Sequence, residues 1–305
     1  MKIFVLGSGA IGSLLGARLS KKNDVLLYSL DTKHMEQIKH HGLDIEELDG
    51  KVTNYKLDVI TDINKLKFYP DLVLITLKSY ATQKGVLAVR DILGKDAIYL
   101  TLQNGIGNVE TLLNIIDRHR IIAGITAQGA TLVKEGYVRH GGNGPTYIGE
   151  VEGEATERIY DIVKNFNDCG LQCFATDETE KLIWKKLIIN IGINAITAIA
   201  RIKNGCVADS KWAKDISKMA VMEAVEIAKA KGIEFPHNIF DDVVEVARKT
   251  SKNISSMHQD ILKKKPTEID AINGAIVRYG EKYNIEVPVN KTLTNLIKLI
   301  EGISD

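Results

Sequence analysis

Four polar side chains on an otherwise apolar segment are the first candidates for chemistry. The stretch from Leu182 to Ala200 reads LIWKKLIINIGINAITAIA, with Lys186, Asn190, Asn194 and Thr197 at intervals of four, four and three. That spacing puts all four on one face of a helix. A helix this apolar is expected to be buried nearly all round. Its polar row must then line a polar cavity or pair with another element, because unpaired buried polar groups are costly. A lysine in such a row has a chemical use. It can donate a proton, and partial burial lowers its pKa toward neutrality. The plain alternative is a solvated stripe on the rim of a bundle, for which two asparagines are poor choices. Lys185 lies on another face and is expected to snorkel to solvent.

A second chemistry belongs to the N-terminus. Gly7-Ser8-Gly9-Ala10-Ile11-Gly12 has the spacing G-x-G-x-x-G, follows an apolar run and precedes a helical pattern. In that context Gly7 permits a tight turn, Gly9 lets the backbone approach a diphosphate, and Gly12 allows close helix–strand packing. Without a ligand the same string is only a tight turn. Asp31 lies 19 residues beyond Gly12. An acidic group about there accepts from the ribose hydroxyls of NAD and repels the 2′-phosphate of NADP. It could equally cap the helix that follows it. Lys33 and His34 are close enough in sequence to reach a 2′-phosphate, so the choice of dinucleotide stays open.

Two further clusters carry polar groups. Asn253-Ile254-Ser255-Ser256-Met257 reads as a small polar turn between helices, which connection and capping alone would explain. Thr267-Glu268-Ile269-Asp270 follows Pro266 and opens a helical pattern. Thr267 and Asp270 resemble a capping pair, and Glu268 in the first turn suits the helix dipole.

The elements that must position these residues fall into two halves. Residues 2–6, 25–28, 71–77 and 97–102 are short apolar runs expected as buried strands. Helical spacing is expected at 11–19, 32–41, 80–93 and 107–117, and a hairpin around Asp49-Gly50 within 43–60. Short glycine-punctuated strands follow at 121–132 and around Tyr147-Ile148-Gly149. This alternation implies a parallel sheet covered on both faces. From about residue 178 helical periodicity dominates, over 178–202, 210–232, 238–250, 268–283 and 289–302. The boundary is expected near Asp168-Cys169-Gly170, dividing 1–172 from 173–305.

Composition narrows the function classes. The 305 residues carry 40 Lys+Arg against 39 Asp+Glu, a formal charge of +1 that argues against a nucleic-acid-binding protein and an anionic membrane surface. The N-terminal apolar run is too short for a signal sequence, and Lys185, Lys186, Asn190 and Asn194 argue against a spanning helix in the most apolar stretch. Three cysteines, Cys169, Cys173 and Cys206, cannot build a disulfide framework and suit a reducing, cytoplasmic setting. No Cys/His set has zinc spacing, so no metal is expected. The Lys263-Lys264-Lys265 run and His40-His41 are expected at the solvated surface.

Taken together, the motifs resemble the ketopantoate reductase (2-dehydropantoate 2-reductase) family. The resemblance rests on GSGAIG at 7–12, TLK at 76–78, QNGIGN at 103–108, IWKKLIINIGINAITAI at 183–199, NISSMHQD at 253–260 and TEIDAINGAIV at 267–277. These occur in family order and span nearly the whole chain. The glycine motif is generic; the lysine–asparagine helix and the last two motifs are far more specific in combination.

The resemblance implies an α/β fold, with a Rossmann-type doubly wound N-terminal domain. It implies an all-α C-terminal domain like that of 6-phosphogluconate dehydrogenases, with an active site in the cleft between the two. It implies NAD(P)H-dependent reduction of 2-dehydropantoate to (R)-pantoate, toward pantothenate and coenzyme A, in a protein compatible with a homodimer. By residue match, Lys186 would be the general acid and Glu268 would bind a substrate hydroxyl. Asn190, Asn194, Asn253 and Ser256 would hold substrate. Lys78 and Asn104 would sit near the nicotinamide and ribose, with Asn104 also touching substrate. Gly7, Ser8, Gly9, Ala10, Ile11 and Gly12 would carry the diphosphate. The family often has an arginine at the end of the second strand, suited to a 2′-phosphate. Here Tyr28-Ser29-Leu30-Asp31 stands there, so the residues lean toward NADH and the family toward NADPH. Two other functions stay open on this scaffold: a reductase of another 2-oxo or 3-hydroxy acid, and a non-catalytic dinucleotide-binding sensor.

Overall fold

The computed structural model describes residues 1–66 and 69–303. They form two compact units, one of Met1–Gln103 and Asn108–Glu180, the other of Asn104–Gly107 and Lys181–Asp305. The expected division at 172/173 falls inside the first unit, because residues 173–175 pair with its sheet. Residues 304 and 305 of the second expected domain lie outside the described residues.

The first unit begins β1 (Lys2–Leu6), α1 (Ala10–Leu19), β2 (Asp24–Tyr28), α2 (Thr32–His41), β3 (Leu43–Glu46), β4 (Val52–Tyr55) and β5 (Asp58–Ile60). It continues β6 (Leu72–Ile75), α3 (Thr82–Val89), β7 (Ile98–Thr101), α4 (Asn108–Leu113), β8 (Ile121–Lys134), β9 (Tyr137–Glu150), α5 (Glu157–Asp168) and β10 (Cys173–Ala175). The sheet runs β4-β3-β9-β8-β7-β6-β1-β2-β5, and β10 pairs with β9. From β8 to β5 the neighbours are parallel, whereas β8/β9 and β3/β4 are antiparallel.

The continuous apolar runs are explained by the two faces of this sheet. Ile3 and Val5 of β1 pack into one core with Leu14 and Leu15 of α1 and Phe166 of α5. Phe4 and Leu6 point the other way, into a core with Val86 of α3 and Leu112 of α4. A strand buried on both sides has no polar face to alternate. Cys169 and Cys173 belong to the first core, and burial pushes the Cys173 thiol up to about 12.

The expected short strands at 121–132 and 147–149 are in fact one long hairpin of two 14-residue strands, β8 and β9. Their glycines are not breaks. A Cβ on Gly124 would lie 2.2 Å from the Tyr147 carbonyl oxygen, and one on Gly144 2.5 Å from Ala127 Cβ. The glycines permit close strand approach, and the register shifts at Thr126/Gln128 and Gly129/Ala130 absorb the twist. The hairpin around Asp49-Gly50 is present but ends at Tyr55; β5 leaves to pair with β2. Neither α5 nor β10 was legible as an element.

The second unit is helical: α6 (Thr179–Ala200, entering from the first unit), α7 (Gly205–Asp209), α8 (Lys211–Ala230), α9 (Ile239–Lys249), α10 (Ser256–Leu262), α11 (Asn273–Tyr283) and α12 (Pro288–Ile303). α6 is its axis. Trp184, Leu187, Ile188, Ile191 and Ala195 pack into a single core with residues of α8, α9, α11 and α12. A Cβ on Gly192 would meet Val243 at 2.6 Å and Ser217 at 2.9 Å, so α8 and α9 press on α6 where it lacks a side chain. By length and hydropathy α6 could cross a membrane, but 61% of its apolar window is buried inside the protein, as in a core helix. The helix expected over 268–283 is divided into a 3-10 turn at Ile269–Ala271 and α11, separated by Ile272 at φ −107°, ψ −98°.

Candidate functional site

In the first unit the site is built from backbone. Gly7 stands at φ +103°, and a Cβ there would lie 2.7 Å from the Leu77 nitrogen, so both conformation and packing demand glycine. The Gly7 and Ser8 N–H groups and the Ser8 hydroxyl all donate to the Tyr28 carbonyl at the end of β2. Thr76 Oγ1, just beyond β6, donates to the Gly7 carbonyl at 2.9 Å. A Cβ on Gly12 would be 2.3 Å from that carbonyl oxygen, which brings α1 hard against the loop. Gly9, the N-cap of α1, is different. It is exposed, has an ordinary φ of −77°, and among the described residues a Cβ there would meet nothing within 4 Å beyond its own chain neighbours. Neither strain nor packing explains that glycine. The first turn of α1, at Ala10 and Ile11, carries no acidic residue and no side-chain cap. An open cradle at a helix N-terminus, whose Ala10 and Ile11 amides have no hydrogen-bond acceptor among the described residues, fits a dinucleotide diphosphate.

Beside this loop, Asp31 is exposed and caps α2, its Oδ1 accepting from the His34 N–H at 3.2 Å. The capping alternative is therefore realised, and it occupies only one carboxylate oxygen. His34 is corrected: it is buried, accepts from Gly136 N–H and bonds Ser13, so it is not available to a 2′-phosphate. Lys33 is exposed. Lys78 follows β6 and stands at the N-cap position of a 3-10 turn at Ser79–Ala81. The segment between is held by a residue that the sequence reading passed over. Gln103 Nε2 donates to the Leu77 carbonyl at 2.8 Å and to Thr82 Oγ1 at 2.7 Å, while Thr101 Oγ1 donates to Gln103 Oε1. Its signal in the sequence is the glutamine that opens QNGIGN.

In the second unit the site is built from side chains. Lys186 is partly accessible, yet its ammonium lies deep enough among protein atoms that burial pushes its pKa down to about 8, opposed by the charge of Glu268. Glu268 is buried at the head of the 3-10 turn. Asn194 is buried and Asn190 half-buried on the same face of α6. Among the described residues, neither side-chain amide has a hydrogen-bond partner. Thr197 leaves the row. It is fully buried, and its Oγ1 donates to Ser255 Oγ at 2.8 Å rather than facing a cavity. Ser255 in turn caps α10 by accepting from His258 N–H and donates toward the Asn194 carbonyl. The sequence reading did not single Ser255 out. It holds the start of α10 against α6. Asn253 and Ser256, beside it in sequence, are exposed, and the Asn253 carbonyl accepts from Asn204 N–H at 3.0 Å.

Asn104 belongs with this second set. Ile106 N–H donates to the Ala271 carbonyl at 3.0 Å and its side chain joins the helical core, while Gly105 at φ +78° leaves no room for a Cβ beside Ala271. The loop thus docks on the turn that Glu268 heads. Two smaller expectations are corrected. Thr267 and Asp270 are not a capping pair: Thr267 Oγ1 accepts from Ile269 N–H and Asp270 pairs with Lys298. Lys185 does not merely snorkel; it forms an ion pair with Asp242 at 2.8 Å.

Residues 3–153 match the family model described as ketopantoate reductase PanE/ApbA, and residues 178–301 match its C-terminal counterpart. The chain belongs to the ketopantoate reductase family. It is 37% identical to the 2-dehydropantoate 2-reductase of Pyrococcus horikoshii, over 99% of this chain and 98% of the relative. The enzyme of the same name from Halobacterium salinarum is 32% identical, over 99% of each. A solved ketopantoate reductase from Ralstonia eutropha superposes with a TM-score of 0.91 at 30% identity, over 100% of this chain and 99% of that one. A D-mandelate dehydrogenase with NADH and anilino(oxo)acetate reaches 0.93 at 27% identity, over the same shares. Membership in the ketopantoate reductase family makes the chain an NAD(P)H-dependent oxidoreductase of a C=O/CH–OH pair, with a Rossmann-type unit and a helical one.

Proposed function

We propose that this protein reduces 2-dehydropantoate to (R)-pantoate, with Lys186 as general acid. The observation that carries this is the α6 row: a lysine with a pKa near 8 opposed by buried Glu268, followed by two asparagine amides that have no hydrogen-bond partner among the described residues. A reduced nicotinamide, held with its diphosphate at residues 7–12, would supply hydride to the ketone carbon. As charge develops on the carbonyl oxygen, the Lys186 ammonium stabilises it and delivers the proton. Glu268 favours the charged lysine beforehand and accepts a hydrogen bond from a substrate hydroxyl. Asn190, Asn194, Asn253 and Ser256 offer donors and acceptors to the carboxylate and hydroxyl ends of the substrate, and Asn104 serves the same end from its docked loop.

Gly7, Ser8, Gly9, Ala10, Ile11 and Gly12 hold the diphosphate, with Lys78 and Asn104 toward the nicotinamide and ribose. The second carboxylate oxygen of Asp31 accepts from the adenosine ribose, which favours NADH. The reading also assigns the protein to the cytoplasm, where its three free thiols stay reduced.

Another 2-oxo acid remains a second reading, favoured by the close structural match to a D-mandelate dehydrogenase bound to NADH. Absorbance at 340 nm with 2-dehydropantoate or phenylglyoxylate, each with NADH or NADPH, tests both. Faster oxidation with 2-dehydropantoate supports the first. Faster oxidation with phenylglyoxylate overturns it in favour of the second. No oxidation by protein shown to bind cofactor points to a sensor.

A further inference from the structure

His34 takes no part in the chemistry above, yet it joins three segments that frame the glycine loop. Its ring is wholly buried. The Gly136 N–H, in the turn between β8 and β9, donates to Nδ1 at 2.9 Å. A backbone amide only donates, so Nδ1 carries no proton and Nε2 carries one. Nε2–H therefore donates to Ser13 Oγ at 3.0 Å. With its lone pair so used, Ser13 Oγ donates its own proton to the Ser8 carbonyl at 3.1 Å. The direction of every proton in this chain is fixed by its first member. It ends on the peptide between Ser8 and Gly9, whose orientation sets where the α1 amides point. The backbone of His34 also donates to Asp31.

We propose that His34 is a positioning residue for the dinucleotide, holding the glycine loop through Ser13 in the form that receives a diphosphate. This rests on the reading that residues 7–12 carry the cofactor. A proton on Nδ1 would face the Gly136 N–H, donor against donor, and undo the chain from its start. The charged groups facing the ring are Asp31 from its own helix and Glu135 from the β8–β9 turn. They raise its pKa, but burial outweighs them and lowers it. The arrangement therefore holds at neutral pH and fails as pH falls below the ordinary histidine range of about 6.5.

The test is calorimetric binding of NAD+, which carries no 2′-phosphate to titrate in that range, from about pH 5 to about pH 8. In the wild-type protein Kd is expected to rise about tenfold toward the acid end, the worth of a buried hydrogen bond. His34→Gln is expected to bind about tenfold more weakly at neutral pH, with no further change on acidification. Ser13→Ala should match it in Kd, and the double variant should be no worse than either. In all three, kcat at saturating cofactor should stay within about twofold, a split that general loss of structure would not produce. A flat wild-type profile, or variants that bind like wild type, overturns the assignment. Should His34→Gln not fold, Ser13→Ala and the wild-type profile decide it. Wild-type protein that binds neither NAD+ nor NADP+ at any pH would instead overturn the cofactor reading itself.

Discussion

Two glycine-bearing loops follow central strands, and they use glycine for opposite reasons. The loop after β1 keeps Gly9 exposed, and among the described residues only its own chain neighbours come within 4 Å of where a Cβ would stand. The loop after β7 keeps Gly105 where a Cβ would lie 2.5 Å from the Ala271 carbonyl oxygen. The first leaves space that the protein does not fill; the second removes a side chain so that protein can fill it. One leaves a surface of backbone donors, which is proposed to receive the diphosphate. The other docks Asn104 on the turn headed by Glu268, where side chains are proposed to do the chemistry. A glycine motif is thus read correctly only by asking what a side chain would displace.

The sharpest break in this comparison separates binding from chemistry. Lys186→Ala is expected to lower kcat by about two orders of magnitude or more and leave cofactor Kd within about twofold. Steady-state rates with fluorescence titration of NADH and NADPH would check it, and an unchanged kcat would sink the general-acid role. The same residue sets an alkaline limb. A general acid must be protonated, and burial holds this lysine near 8. So kcat/KM should be full at neutral pH and fall as pH rises through about 8, rather than persisting to the usual lysine range near 10.

Gly105→Ala comes next. It forces a positive φ on a residue with a side chain and drives a methyl into backbone, at a cost of about 2–3 kcal/mol. Urea unfolding should show the loss. Gly9→Val should do the reverse: cofactor Kd should rise about tenfold, while stability changes by less than about 1 kcal/mol, since only a weak N-cap is altered. A Gly9 variant that loses stability without losing cofactor would abolish the distinction between the loops.

The same contrast explains what was legible. The β1-loop-α1 unit and the α6 row are local patterns, in which spacing alone puts Gly9 at a helix start and Lys186 beside Asn190 and Asn194. What escaped depends on distant partners. Thr197 fits the row by spacing, but Ser255, 58 residues on, claims its hydroxyl. His34 looks like a surface residue after Asp31 until Gly136, 102 residues away, closes over its ring. The glycines of β8 and β9 read as breaks because their justification lies in the opposite strand. The helix start at Thr267 was misread because Ile272 departs from helical geometry, which no pattern of residue types announces.

The smallest expected effect bears on which dinucleotide the first loop takes. Asp31 does two things with two oxygens. Oδ1 caps α2, and the other is proposed to accept from the ribose. Removing the residue confounds them, because losing a cap alone costs about 1 kcal/mol. Asp31→Asn separates them. Asparagine caps as well as aspartate but carries no charge to repel a 2′-phosphate. It should keep the unfolding midpoint and raise the NADPH-to-NADH ratio of kcat/KM by about threefold. Asp31→Arg, which adds a phosphate partner but loses the cap, should raise it about tenfold and lower the midpoint. If the ratio stays still in both while the midpoint falls in the arginine variant, Asp31 is a cap and nothing more. Discrimination between cofactors would then have to come from Lys33 or from the loop itself.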